Sequence, residues 1–135
     1  MIQKNIVVSG KRKAAIAKAT IKEGNGKIKI NKKGLFYFPP LNRMEVEEPL
    51  LIADEILGKR NYDIEVNVKG GGVASQTEAV RLAIARAIVK FTKNESLKRS
   101  YLSYDRNLLV ADTRRKETYK PRDSKARAKR QKSYR

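Results

Sequence analysis

The N-terminal third of the chain alternates between apolar and polar residues, a period of two that predicts β-strands. The segments "AAIAKATIK" and "KIKIN" place an apolar side chain at every second position, with mainly polar residues between them. The "EGNG" that joins them contains Asn-Gly, a strong hairpin signal. We therefore predict a hairpin with one apolar face and one lysine-rich face. "KNIVVSG" and "YDIEVNVKG" predict two further strands, the first of which ends at Gly10.

The middle of the chain has helical spacing instead. "LNRMEVEEPLLIADEIL" predicts helical structure from about Asn42 to Leu57, and Pro49 leaves open whether it forms one helix or two short ones. In "VASQTEAVRLAIARAIVKFT" the apolar residues recur at steps of three and four. Ser75 and Glu78 have the spacing of a capping box, so we predict that this helix begins near Ser75. "NESLKRSYLSYD" predicts a third, shorter helix.

Apolar residues become scarce after "LLVAD", and this determines the expected domain organisation. With 135 residues the chain has room for one domain plus an arm. We expect a globular body over residues 1–112 and an extended C-terminal arm over residues 113–135. The final segment "KARAKRQKSYR" has no aliphatic side chain larger than alanine, so we expect the arm to stay unfolded unless it is bound.

The net charge is +18, from 32 Lys and Arg against 14 Asp and Glu, and it is unevenly distributed. Residues 1–40 carry ten basic residues and one acidic residue, and residues 114–135 carry eleven and two. The 73 residues between them carry eleven of each sign. A neutral middle with basic ends predicts a body that binds nucleic acid at selected places, with an anionic membrane surface as the weaker alternative.

The composition argues against several other classes of protein. The chain has no cysteine and no histidine, which removes disulfides, thiolate metal sites and the usual acid–base group at neutral pH. No apolar run is long enough to span a membrane, and the N-terminus lacks the apolar stretch of a secretory signal. We therefore expect a binding protein rather than an enzyme, with no cofactor and no metal, although Asp and Glu side chains alone could still bind magnesium.

"VKGGGVASQ" places three glycines between a predicted strand and a predicted helix. It matches neither the dinucleotide-binding nor the P-loop pattern, because no lysine follows the glycines into the helix. The glycines can simply permit a tight turn at positive φ. Alternatively, the backbone of Gly70 and Gly71, with Lys69 and Arg81 nearby, contacts an RNA phosphate.

The remaining candidate RNA-binding side chains form three groups. On the predicted lysine-rich face are Lys18, Lys27 and Lys29, which could also be the solvated side of an antiparallel sheet. On the connection between the first two strands are Lys11, Arg12 and Lys13, which repel one another unless phosphates lie across them. In the arm are Arg114, Arg115, Lys116, Lys120, Arg122, Lys125 and Arg127. The arginine planes and tyrosine rings of the arm can also stack on unpaired bases.

The first predicted helix carries an acidic patch in an otherwise basic chain. Its members are Glu45, Glu47, Glu48, Asp54 and Glu55. Acidic residues near the start of a helix complement its dipole and need no other purpose. The functional alternative is that this helix points away from RNA or toward another basic protein.

Five segments, in this order and spacing, resemble one family, the ninth protein of the small ribosomal subunit (ribosomal protein S9). They are "GKRKAAIAKA", "GNGKIKIN", "VKGGGVASQTEAVRLAIARA", "DTRRKE" and "RAKRQKSYR", and they span nearly the whole chain. The ending "KSYR" is more similar to the archaeal and eukaryotic branch than to the bacterial one, and the short N-terminus favours the archaeal members.

The resemblance implies an RNA-bound protein of the subunit head. Its fold is an α+β domain of the ribosomal protein S5 domain 2-like type, with a mainly antiparallel four-stranded sheet, packed helices and a left-handed crossover. It implies that the arm threads through ribosomal RNA to the peptidyl site, and that its tip approaches the transfer RNA bound there. The residues that match the tip are Lys129, Arg130, Gln131, Lys132, Ser133, Tyr134 and Arg135.

The partners implied are small-subunit ribosomal RNA, the peptidyl-site transfer RNA and neighbouring proteins of the subunit head. Two other functions stay open beside this one. A free nucleic-acid chaperone or compacting protein would carry a similarly basic tail. A phosphate-transferring enzyme built on the "KGGG" turn is the third and weakest alternative.

Overall fold

The computed structural model describes residues 5–122, 125–129 and 132–134. The strands are β1 (Ile6–Arg12), β2 (Ala15–Glu23), β3 (Ile28–Ile30), β4 (Lys33–Gly34) and β5 (Tyr62–Lys69). The helices are α1 (Pro40–Leu57), α2 (Val73–Thr92) and α3 (Glu95–Tyr104), with two 3-10 helices at Leu35–Tyr37 and Arg106–Leu108. Within these residues no helix is both long and apolar enough to cross a membrane.

The strands form one mixed sheet in the order β1-β2-β5-β3-β4. Three pairings are antiparallel, and β3 pairs with β5 in parallel. Helix α2 packs on β1, β2 and β5, α1 packs on α2, and α3 packs on α1. The fold is thus a single α+β domain, as expected, but its sheet has five strands and not four, because the short β4 adds an edge strand. The left-handed crossover stays a prediction.

The contact between α2 and the sheet depends on small residues. Ala15, Ala17 and Ala19 of β2 are completely buried, which confirms the predicted apolar face of this strand. A Cβ atom at Gly10 would lie 2.5 Å from the carbonyl oxygen of Ala79, so only glycine fits there. Because these side chains are short, α2 lies close to β1 and β2.

The predicted hairpin between β2 and β3 is wrong, because β5 lies between these two strands. The "EGNG" segment passes around the start of β5. The N–H of Gly24 donates to the carbonyl oxygen of Asn61 at 3.2 Å. The carboxylate of Asp63 accepts from the backbone N–H groups of Asn25 at 2.9 Å and Lys27 at 2.8 Å. These long-range hydrogen bonds override the local preference of Asn-Gly for a two-residue hairpin.

Helix α2 begins earlier than predicted, at Val73, and no side chain caps its N-terminus. The capping box predicted at Ser75 is therefore wrong. Gly70 and Gly71 adopt φ angles of +79° and +65°, so the chain turns directly out of β5 and enters the helix. The glycine turn, and not a side-chain cap, thus determines where α2 begins.

Helix α1 is one continuous helix, with Pro49 inside it. Proline removes one backbone hydrogen bond, and packing compensates for the loss. Pro49 is buried together with Val46 and Leu50, and its carbonyl oxygen accepts a 2.6 Å hydrogen bond from the hydroxyl of Tyr101 on α3. Burial of this hydroxyl raises the pKa of Tyr101. Its hydrogen bond joins α3 to α1 at Pro49.

Candidate nucleic-acid interface

One face of the sheet is covered by helices, and the other face is open and carries lysines. Exposed lysines stand on four neighbouring strands: Lys11 on β1, Lys18 on β2, Lys29 on β3 and Lys69 on β5. In the described part of the chain none of these four has a carboxylate within 4.0 Å. We call this surface the open lysine face.

Two acidic residues, Asp63 and Glu65, lie on the same face as these lysines. Because β5 lies between β2 and β3, Glu65 stands beside Lys29 and Asp63 stands opposite Lys22. The backbone N–H of Lys27 is the main reason that the pKa of Asp63 lies below its ordinary value. Asp63 thus binds the backbone of the loop before β3, whereas Glu65 reduces the net positive charge of the open lysine face.

The end of the sheet brings the "KRK" and "KGGG" segments together. Lys11 and Arg12 continue β1, and only Lys13 and Ala14 form the turn into β2. A Cβ atom at Gly70 would lie 2.6 Å from the carbonyl oxygen of Ala14. The glycine turn is therefore packed under the Lys13 turn, and both belong to a single surface.

The start of the predicted arm lies at the same end of the sheet. A groove of about 690 Å³ is lined by Arg12, Lys13, Ala14, Arg114, Arg115 and Lys116. Two candidate groups that are about a hundred residues apart in the sequence thus form one cationic concavity. We call it the cationic groove.

Unlike Lys11 and Lys13, which are exposed, Arg12 is largely shielded from solvent. Its side chain points toward the helices and is only 13% exposed. Its Nε lies 2.5 Å from Oε2 of Glu78 on α2, and its Nη2 lies 3.4 Å from Oδ2 of Asp112. Arg12 therefore ties β1 to α2 and to the start of the C-terminal segment. Its predicted contact with RNA stays a prediction.

Arg81 is also held in ion pairs on the covered side. It contacts Glu48 on α1 and lies 3.1 Å from Oδ2 of Asp105, which precedes the second 3-10 helix. It therefore joins three parts of the body. Because both carboxylates are more than twenty residues away in the sequence, no local pattern could have revealed these partners. Its contact with RNA likewise stays a prediction.

The role of Asp112 was not predicted from the sequence. Its carboxylate accepts from the backbone N–H of Arg114 at 2.9 Å and from Nη2 of the same residue at 2.8 Å. The Arg114 side chain is the main reason that the pKa of Asp112 lies far below its ordinary value. Because Asp112 also faces Arg12, it connects the body with the cationic groove. In the sequence, this contact could have been inferred from "DTRR", where Asp112 stands two residues before Arg114.

From Thr113 onward the described residues form no helix and no strand, and nearly all their side chains are exposed. Nζ of Lys116 lies 4.4 Å from the centre of the Tyr119 ring, and Nε of Arg127 lies 3.0 Å from Oε2 of Glu117. The exposed candidates of this segment include Lys120, Arg122, Lys125, Lys129, Lys132, Ser133 and Tyr134. Three predicted tip residues, Arg130, Gln131 and Arg135, lie outside the described residues. The arm and its boundary stay predictions.

The described residues contain no group of three or more Asp or Glu side chains that could hold a metal ion.

The geometry is that of a small α+β domain with one covered face, one open basic face and a basic C-terminal segment. Comparison with known sequences identifies its family. The sequence model of the family described as ribosomal protein S9/S16 matches residues 10–135. The chain belongs to this family.

The relatives of the chain include three archaeal proteins, each named small ribosomal subunit protein uS9. Those of Methanococcus maripaludis strain C7 and Methanococcus vannielii are 54% and 53% identical over 129 residues, or 93% of this chain and 95% of each relative. The protein of Methanothrix thermoacetophila is 51% identical over 128 residues, or 94% of this chain and 96% of the relative. The archaeal resemblance is thus confirmed. Membership of a family of ribosomal proteins also confirms the expectation that the chain is not an enzyme.

Proposed function

We propose that this protein is a structural constituent of the small ribosomal subunit and acts in the cytoplasm. It binds small-subunit ribosomal RNA in the subunit head and lies beside other head proteins. Its C-terminal tail reaches the transfer RNA in the peptidyl site during translation. The names of the archaeal relatives support the assignment to the subunit, since each is called a small ribosomal subunit protein.

The observation that carries the RNA-binding part is the cationic groove. Lys13 on one side and Arg114, Arg115 and Lys116 on the other line a concavity of about 690 Å³. Cations that line one concavity repel one another, and a polyanion that enters the groove offsets this repulsion, so we expect the groove to bind polyanions. A phosphate backbone supplies that charge continuously, and each phosphate can accept paired N–H donors from an arginine.

The open lysine face supplies a second contact area in this proposal. Lys18 and Lys29 project from strands on either side of β5, which spreads their charge over the sheet. Lys69 and the glycine turn extend this area toward the cationic groove. Lys27, immediately before β3, lies near Lys29 and Glu65. Arg12 and Arg81 contribute mainly by holding the underlying elements in place, because their guanidinium groups pair with carboxylates and their side chains are only 13% and 17% exposed. Arg114 also pairs with a carboxylate, that of Asp112, but its side chain is 80% exposed and accessible to a phosphate.

In this proposal the tail contributes through side chains that are exposed in the described part of the chain, together with Arg135, which lies outside that part. Tyr134 is almost fully exposed, so its ring is available to lie against a base or a ribose. Lys129 and Lys132 are exposed as well. Arg135 completes the tip in the sequence, and its guanidinium can reach a phosphate with paired donors, which a lysine cannot do.

The salt dependence of binding tests the groove. Each neutralised phosphate contributes roughly 0.7–0.9 to the slope of log affinity against log salt. Replacing Arg114, Arg115 and Lys116 by alanine should therefore lower the slope for a small-subunit RNA fragment by about two to three units. The matched control replaces Lys90, Lys98 and Arg99, exposed cations on the helical side, by alanine and should leave the slope unchanged.

An equal decrease of the slope in both variants would mean that the protein attracts RNA without a defined site, as a free chaperone does. Sedimentation of the endogenous protein separates the two functions further. A ribosomal protein travels with small subunits through moderate salt, whereas a chaperone dissociates. Loss of the protein from the subunit fraction would overturn the proposal.

A further inference from the structure

The outer side of α1 carries large apolar side chains that no part of the described chain covers. Leu41, Met44 and Leu51 are 69%, 60% and 61% exposed. They are separated by three and seven residues, so they follow one side of the helix. The opposite side of α1, with Val46 and Leu50, faces the core. Apolar side chains therefore line both sides of this helix, although the core needs only one.

Two further large apolar side chains are exposed in the segment immediately before α1. Phe36 and Tyr37, in the first 3-10 helix, are 83% and 77% exposed. Scattered apolar side chains are normal on a protein surface, but five large ones within sixteen residues are not. We define the α1 outer surface as Phe36, Tyr37, Leu41, Met44 and Leu51.

The α1 outer surface is bordered by acidic side chains. Glu48 pairs with Arg81, and Glu47 lies 3.6 Å from Arg43. Glu45 and Glu55 have no ion-pair partner in the described part of the chain. Glu45 and Glu55 lie four residues beyond Leu41 and Leu51, respectively, so each stands beside an exposed apolar side chain on the same side of the helix. In a chain of net charge +18 this is a local negative region.

We propose that the α1 outer surface is the docking site for a basic protein segment, one that presents apolar side chains to Leu41, Met44 and Leu51 and Lys or Arg to Glu45 and Glu55. Apolar anchors within a charged border are the usual composition of a protein–protein interface. Charge complementarity selects the partner, because a basic segment is attracted to this surface by the same field that repels acidic molecules.

The same charges argue against other occupants. The phosphates of RNA and of anionic lipids would face the unpaired carboxylates of Glu45 and Glu55. A second copy packed symmetrically would bring these carboxylates against their own equivalents. The C-terminal segment of the chain is basic, but its final eleven residues contain no aliphatic side chain larger than alanine to meet the leucines.

Site-specific cross-linking tests this docking site, because the chain has no native cysteine. Met44→Cys places a single thiol on the α1 outer surface, and Lys18→Cys places one on the open lysine face. Each variant is expressed in cells with a purification tag, labelled with a photoreactive thiol reagent and isolated in its native complex. Mass spectrometry then identifies what is attached at each position.

We expect the reagent at position 44 to attach to a protein segment rich in Lys and Arg. Attachment to RNA, to lipid, to a second copy or to an acidic segment would overturn the inference, and so would the absence of any product. The Lys18→Cys variant tests the proposed ribosomal function separately. If its purified complex contains no small-subunit RNA, the proposed function is wrong. The product identified at position 44 still tests the docking site in that case.

A charge reversal makes the test quantitative. In the Met44→Cys background, Glu45→Lys with Glu55→Lys should reduce the yield of the protein product at least about tenfold, since both attractions become repulsions. Lys90→Glu with Lys98→Glu, on the other helices, is the matched control and should leave the yield unchanged. An unchanged yield in the Glu45 and Glu55 variant would overturn the role given to the acidic border.

Discussion

The covered and open faces of the same sheet use positive charge in opposite ways. On the covered side, Arg12 and Arg81 each contact two carboxylates, contributed by separate elements of the body. On the open side, Lys18 and Lys29 have no ion-pair partner in the described residues. Positive charge in the sequence therefore does not by itself identify an RNA contact.

The difference has a physical basis. Removing one member of a partly buried ion pair leaves the other charged and poorly solvated, which destabilises the fold. An exposed lysine is solvated whether or not it has a partner, so it adds little to folding and can bind a phosphate at small cost. We thus expect the covered cations to act on stability, and the open face and the arm to act on binding.

The largest expected effect separates the arm from the body. Limited proteolysis of the free protein should cleave after about Thr113 and leave a fragment of roughly 110 residues. A protected body opens only by unfolding, which for a typical domain costs at least about 5 kcal/mol. Cleavage in the arm should therefore be about a thousandfold faster or more. Equal protection of arm and body without RNA would contradict the boundary at residue 113.

Arg81→Met should give the next largest effect, on the free energy of unfolding. Methionine keeps much of the side-chain length but leaves Glu48 and Asp105 without their cation. We expect a loss of about 2 to 3 kcal/mol, since each hydrogen bond to a charged group is worth about 1.5–3 kcal/mol and solvent reaches part of this site. Urea denaturation measures it. A variant of unchanged stability but flatter salt dependence would place Arg81 among the RNA contacts instead.

Deleting Lys132 to Arg135 should affect function without affecting the fold. The tail must lose conformational freedom when it binds, so its net contribution is about 1–1.4 kcal/mol. That corresponds to roughly five- to tenfold weaker binding of transfer RNA at the peptidyl site. Filter binding to purified subunits measures it, and assembly of the subunits should be nearly normal. Equally tight binding by truncated subunits would mean that the tail contacts only ribosomal RNA.

Lys18→Met tests a single exposed cation. The free energy of unfolding should stay within about 0.5 kcal/mol of the parent, because an exposed side chain without a partner contributes little to folding. The salt slope of RNA binding should fall by roughly 0.7–0.9, the share of one phosphate. Lys98→Met on α3 is the control and should change neither quantity. A slope that does not move in Lys18→Met would assign the open lysine face to solvent.

Asp112→Asn tests the link between the two regions through pH. Because Arg114 lowers the pKa of Asp112 in the folded protein, the ionised carboxylate stabilises the fold above its ordinary pKa of about 3.9. This stabilisation is lost as pH falls below that value toward the lowered pKa. The difference in stability between parent and variant should therefore be present at neutral pH and shrink near pH 3. A difference that is constant with pH would exclude this ionisation as the cause.

Much of the local structure was predictable because it depends on side-chain periodicity. The alternation in β2 and β5 and the apolar positions of α2 predicted which side chains are buried, and the structure confirms them. The errors occurred where a long-range contact competes with a local preference. Asp63 draws the "EGNG" loop around β5, and the glycines at 70 and 71 start α2 without the capping box.

For the candidate site, the sequence by itself determined which segments are basic, that the C-terminal segment is poor in apolar residues, and to which family the chain is similar. Only the tertiary structure decided how these segments meet. It brings Lys13 beside Arg114, inserts Glu65 next to Lys29 and gives Arg81 two carboxylate partners. Periodicity and composition describe each segment alone, whereas ion pairs and grooves depend on the order of strands in the sheet, which packing of the whole chain selects.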